Sequence, residues 1–122
     1  MNFKLLITTA ALVFAVPALA HAPKPQHGGR IILAGAFHVE MVAKEGGAID
    51  VHLLGHDDKP VAVTGYKGLA ILAVDGKSQR IVLEPAGGSR LSGRAEGTLP
   101  KQPKGVVQIT PPGGKAVSAK FD

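Results

Sequence analysis

Cysteine and tryptophan are absent from the 122-residue chain, and its aromatics amount to four Phe and one Tyr. The missing thiols exclude a disulfide framework, thiol catalysis, a lipid-modified cysteine and every thiolate metal site. The formal net charge of +5 raises nucleic acid as a partner. However, the Lys and Arg residues are scattered and the aromatics few, so the basic stripes and stacking platforms of nucleic-acid binding are both lacking. Also lacking is an apolar run of the roughly 20 residues that span a bilayer. The length supports one ordinary domain and excludes a multidomain enzyme.

The longest apolar run, Leu5 to Val16, follows Lys4 and precedes Pro17-Ala18-Leu19-Ala20. A basic start, an apolar centre and a small-x-small end form the pattern of a secretory signal peptide, expected over residues 1–20 with cleavage after Ala20. The exported chain would begin at His21 and would not insert in a membrane. With no disulfide, a domain of about 100 residues must rely on its core, which is feasible but leaves little room for a deep enclosed cavity.

Two prolines in His21-Ala22-Pro23-Lys24-Pro25-Gln26-His27-Gly28-Gly29 favour an extended arm, and the glycine pair gives it a flexible junction with the domain, expected over residues 30–122. From Arg30 onward, short runs rich in Val, Ile and Leu alternate with turn signals at Glu45-Gly46-Gly47, His56 to Pro60, Asp75-Gly76, Ala86-Gly87-Gly88 and Pro111 to Gly114. The spacing predicts an all-β fold with strands at Ile31–Leu33, Phe37–Lys44, Ala48–Leu54, Val61–Thr64, Leu69–Val74, Arg80–Glu84, Arg90–Ala95, Val106–Thr110 and Ala116–Phe121. Some of these nine merge or fail in a fold of seven to eight strands. A small antiparallel β-sandwich of the immunoglobulin-like kind is the first expectation and a barrel the second.

All five histidines lie between positions 21 and 56. In a chain without cysteine, such clustering points to a borderline metal, Cu(II) or Zn(II) before the softer Cu(I). After cleavage, His21 would offer its α-amine and imidazole as a chelate, with Pro23 blocking successive amide ligation and His27 the nearest further donor. The bland alternative is an export tail that happens to start with His.

A second constellation follows from strand pairing. If Glu45-Gly46-Gly47 is a three-residue hairpin loop, Met41 faces Val51 and Glu40 faces His52. A register two residues away would oppose Glu40 to Asp50, which like charges disfavour. His38, Glu40 and His52 then share one face, opposite the face of Phe37, Val39, Met41, Ile49, Val51 and Leu53 that turns to the core. A surface Glu–His pair is the plainer reading of that trio. His56, in the turn with Asp57 and Asp58, could supplement a metal site, although turn chemistry alone accounts for Asp and Pro there. No nucleophile elbow, phosphate loop or helix-borne His-Glu-His set is present, so an enzyme is not expected.

Several segments together resemble a family of small exported proteobacterial proteins that accompany heavy-metal efflux systems of the resistance-nodulation-division type. These are the opening His21 to Gly29, Phe37-His38-Val39-Glu40-Met41-Val42, His56-Asp57-Asp58-Lys59-Pro60-Val61, Leu83-Glu84-Pro85-Ala86-Gly87-Gly88 and Gly114-Lys115 to Phe121. The His-Gly-Gly element is also similar to the start of an accessory region on periplasmic adaptors of those pumps. A looser similarity, limited to His21, is to the copper-resistance C proteins. The resemblance implies a periplasmic location, metal association and an efflux adaptor as partner. The sequence reading is therefore a periplasmic protein that binds Cu(II) or Zn(II) through some of His21, His27, His38, Glu40, His52 and His56, with His21 and His27 the leading ligands. It would buffer the ion or deliver it to an efflux assembly. The alternative is a metal-free module that docks on an adaptor or another envelope protein.

Overall fold

The computed structural model describes residues 24–122, so the signal segment and His21 lie outside the described residues. Eight antiparallel strands form a single sheet: β1 (Arg30–Ala34), β2 (Phe37–Ala43), β3 (Ala48–Leu54), β4 (Lys67–Val74), β5 (Lys77–Pro85), β6 (Arg90–Arg94), β7 (Gly105–Thr110) and β8 (Val117–Phe121). Their spatial order is β1-β2-β3-β6-β5-β4-β7-β8. The two ends of that order meet, because Arg30 Nη2 donates to the Asp122 carbonyl at 2.6 Å and the Arg30 guanidinium stands 5.8 Å from the centre of the Phe121 ring. The sheet is thus nearly closed, which protects most of its edge groups from stray pairing.

The all-β expectation holds, with a correction to its finer form: the fold is barrel-like rather than a sandwich. The physical reason is β5. Its first seven residues pair with β4 from Val74↔Lys77 to Gly68↔Leu83, and its last two cross to β6 through Glu84↔Ser92 and Pro85↔Leu91. One nine-residue strand therefore joins halves that a sandwich would keep as separate sheets.

Eight of the nine expected strands form, shifted at their ends by up to three residues. The segment Val61–Thr64 does not. Val61 N–H donates to the Leu53 carbonyl and Val63 N–H to the Gly88 carbonyl, so two different partners share the segment and no ladder develops. Pro60, with no N–H of its own, makes only an isolated bridge with Leu54.

The barrel interior holds one apolar core. Val39, Met41, Ile49, Val51 and Leu53 from β2 and β3 meet Ala70, Leu72, Ile81, Val107 and Ile109 from the opposite wall, and Phe121 fills the β8 end at 1% exposure. The alternation read from the sequence gives this inner face correctly. The outer face of β2 and β3 is not the solvated surface that alternation leads one to expect. His38, Glu40, Asp50 and Leu54 are all buried there, Glu40 under residues 26–29, His38 against the loop after β3, and Asp50 among Lys44, Arg90 and Ser92.

Candidate metal centre

The hairpin between β2 and β3 closes through a 3-10 turn at Glu45–Gly47, with Lys44 N–H donating to the Ala48 carbonyl at 2.8 Å. This fixes the register Glu40↔His52 and Met41↔Val51 and keeps Asp50 opposite Val42. Asp50 is neutralised instead by Lys44 Nζ at 2.6 Å, by the Ser92 hydroxyl, which donates at 2.6 Å, and by Arg90 at 3.5 Å. Burial pushes the Asp50 carboxyl up, but these partners outweigh it and hold the group below its ordinary value.

Glu40 is fully buried, and both of its oxygens are in use. Oε1 accepts from the Gln26 N–H at 2.9 Å and pairs with His27 Nδ1 at 3.0 Å, while Oε2 accepts from the His27 N–H at 2.8 Å and the Gly29 N–H at 2.9 Å. Burial raises the Glu40 pKa, and the bonds from Gly29, the His27 ring, Gln26 and the His27 backbone more than reverse it, so the carboxylate stays ionised below its usual range. The chain approaches β2 so closely that a Cβ at Gly29 would run into the Met41 carbonyl, which explains the need for glycine there. Residues 26–29 are thereby strapped to β2.

The strap lays the His27 ring flat on the His52 ring, with centres 3.6 Å apart and planes within 3°. Burial lowers the His52 pKa, and the adjacent His27 lowers it further. Two parallel cationic rings would repel at this distance, so the stack is favoured with His52 neutral.

On the other side of the face stands the turn after β3. Gly55 N–H donates to the Lys59 carbonyl and Asp58 N–H to the Gly55 carbonyl, and Asp57 Oδ1 accepts from the Lys59 N–H at 3.2 Å. Asp57 is thus explained by the turn itself. Asp58 is different: it sits at φ +62, a left-handed conformation that is rare for side-chain-bearing residues, and places Oδ1 2.8 Å from His38 Nδ1. An ionised Asp58 accepts the Nδ1 proton and leaves the ring lone pair on Nε2, the arrangement that carboxylates impose on metal-ligating histidines. His56, exposed on the same turn, stands with its ring centre 5.9 Å from that of His38 and its plane tilted by 50°.

Ligand geometry separates the two histidine pairs. A ring centre lies about 3.2 Å from an ion bound by one of its nitrogens, so two imidazoles on one tetrahedral ion have centres about 5 Å apart, rising to about 6 Å as the angle opens. The His38–His56 spacing falls in that range. The His27–His52 spacing is too short, and parallel rings aim their in-plane lone pairs alongside one another rather than at a common point. Glu40 has no acceptor position left for an ion without releasing the strap.

The structure therefore divides the candidate residues into three groups. His27, Glu40 and His52 come together as a strap and stack, His38 and His56 come together with Asp58, and His21 lies outside the described residues. Among the described residues no three His, Asp or Glu side chains are grouped to hold one ion, so the His38–His56 pair is a two-ligand arrangement open to further donors. The His38–Asp58 contact was not foreseen. It spans 20 positions, and its only local sign is an aspartate in a turn that Asp57 alone would satisfy. No family model, curated protein or solved structure matches this chain.

Proposed function

We propose that the protein binds a divalent transition-metal ion, Cu(II) or Zn(II), between His38 and His56, and exchanges it with a second carrier in the periplasm. The observation that supports this reading is the carboxylate-oriented His38, with Asp58 on Nδ1 at 2.8 Å and the His56 ring at chelating distance. Two protein ligands leave coordination positions open, so an incoming donor can join the ion before the outgoing one leaves. That donor is His21 of the processed N-terminus or a side chain of the acceptor. The family resemblance proposes a heavy-metal efflux adaptor as that acceptor.

The test is calorimetric titration of the exported, tag-free protein with Cu(II) and Zn(II), alongside His56→Ala and His27→Ala. Because His56 is exposed on a turn, His56→Ala should fold normally and weaken binding at least tenfold, whereas His27→Ala should weaken it far less. Absence of binding, or equal binding by wild type and His56→Ala, overturns the assignment. A strong loss in His27→Ala with none in His56→Ala would move the site to the strap.

A further inference from the structure

Opposite the histidine face, the β4–β5 turn, the start of β7 and the end of β8 enclose an open cleft of about 540 Å³. Its floor is apolar: Ile71 on β4 is the cross-strand partner of Val106 on β7, and Ala73 continues the same outward row. Its rim is basic, formed by Lys77, Lys104 and Lys120, the last directly across from Val106. Among the described residues neither Lys77 nor Lys104 has a carboxylate within 4 Å, and Lys120 has only the exposed Asp122 at 3.7 Å. The depth of the cleft is built in. Gly105 has φ +146, and a Cβ there would run into the Ile71 carbonyl, so β7 enters the sheet without a side chain at the cleft mouth.

We infer that this cleft binds an anionic amphiphile, a single carboxylate or sulfate headgroup on a short alkyl chain. The chain lies along Ile71, Ala73 and Val106, and the headgroup sits among the three ammonium groups. Neither half suffices alone: exposed lysines attract a lone ion only weakly in water, and a shallow apolar floor holds a neutral chain weakly. The volume falls in the range of small-molecule sites. Charge is distributed to match. Glu40, Glu45, Asp50, Asp57 and Asp58, five of the nine acidic residues, lie on β2, β3 and their loops; Asp122 is the one acidic residue lining the cleft, so its wall carries three ammonium groups against one side-chain carboxylate.

The test follows amide resonances of the full exported chain while octanoate is added, with octanol and acetate as the chain-only and headgroup-only probes. Octanoate should shift the amides of Ile71, Gly105 and Val106 saturably, at an affinity at least fivefold above either control. The Lys77→Ala/Lys104→Ala double variant, altered only at exposed side chains, should lose at least fivefold for octanoate while leaving octanol unchanged. Acetate binding as tightly as octanoate would mean an adventitious ion only, and octanol binding as tightly would mean an unselective apolar surface. Either result, or no saturable shift at the cleft, overturns the proposal.

Discussion

Replacing Glu40 with Gln isolates the strap because it preserves shape and removes one acceptor. In the wild type, four donors converge on two carboxylate oxygens, with Gln26 N–H and the His27 ring on one and the His27 and Gly29 amides on the other. An NH2 group in place of Oε2 faces the His27 and Gly29 amides and two charge-assisted bonds are lost; in place of Oε1 it faces the Gln26 amide and forces the His27 ring to change tautomer to accept from it. Each such bond contributes about 1.5–3 kcal/mol, but the strap can detach and let water reach the site, so the expected net loss is about 2–4 kcal/mol. For a domain of about 100 residues this corresponds to a fall in Tm on the order of 10–20 °C. Urea unfolding gives the free energy, and hydrogen exchange at the His27 and Gly29 amides reports the strap directly. Those amides should exchange freely in Glu40→Gln while amides of β4 and β7 stay protected. A variant within about 0.5 kcal/mol of wild type, with the strap amides still protected, would refute the reasoning.

Asp58→Asn keeps a residue that tolerates the left-handed conformation but removes the charge on His38 Nδ1, so Zn(II) affinity should fall about 10- to 100-fold with little change in thermal stability. In metal-free protein, urea unfolding across pH should show two losses of stability as pH falls. Below about 6.5 the unfolded chain binds a proton at His52 that the folded state resists, because the folded pKa is lowered. Below about 4, the lowered carboxyls of Glu40 and Asp50 are forced to protonate as pH drops through their folded values, and the stability they contribute above the ordinary carboxylate range disappears. His52→Gln should abolish the upper loss and keep the lower. Phe121→Ala removes the side chain that fills the barrel end and supports Arg30, and should cost about 3–5 kcal/mol in urea unfolding.

Local chemistry was legible in the sequence where short loops fix geometry. The three-residue Glu45–Gly47 connection, with the penalty for opposing Glu40 to Asp50, was enough to set the β2–β3 register and the bounds of β3. The choice between barrel and sandwich was not legible, since it depends on β5 changing partners near Glu84, and the alternation of β5 looks the same either way. Val61–Thr64 has the composition of a strand, but its amides are shared between Leu53 and Gly88, a matter of where two loops pass. The candidate site was legible as a set of residues and not as a geometry. Glu40 and His52 were placed opposite each other, yet that Glu40 would spend its oxygens on the Gln26–Gly29 backbone depends on a contact 11 to 14 residues away. In the same way, the turn after β3 decides that His38 belongs with Asp58 and His56 rather than with His52.

The central claim is that one ion binds between His38 and His56. Zinc titration of uniformly 15N-labelled, correctly processed protein, followed through the histidine ring nitrogens, tests it most directly. The account predicts stoichiometric shifts of His38 Nε2 and of one His56 ring nitrogen, with His38 Nδ1 still protonated against Asp58 and the His27 and His52 rings unmoved at one equivalent. Ring nitrogens of His38 and His56 that stay unshifted through the first equivalent of zinc would contradict it.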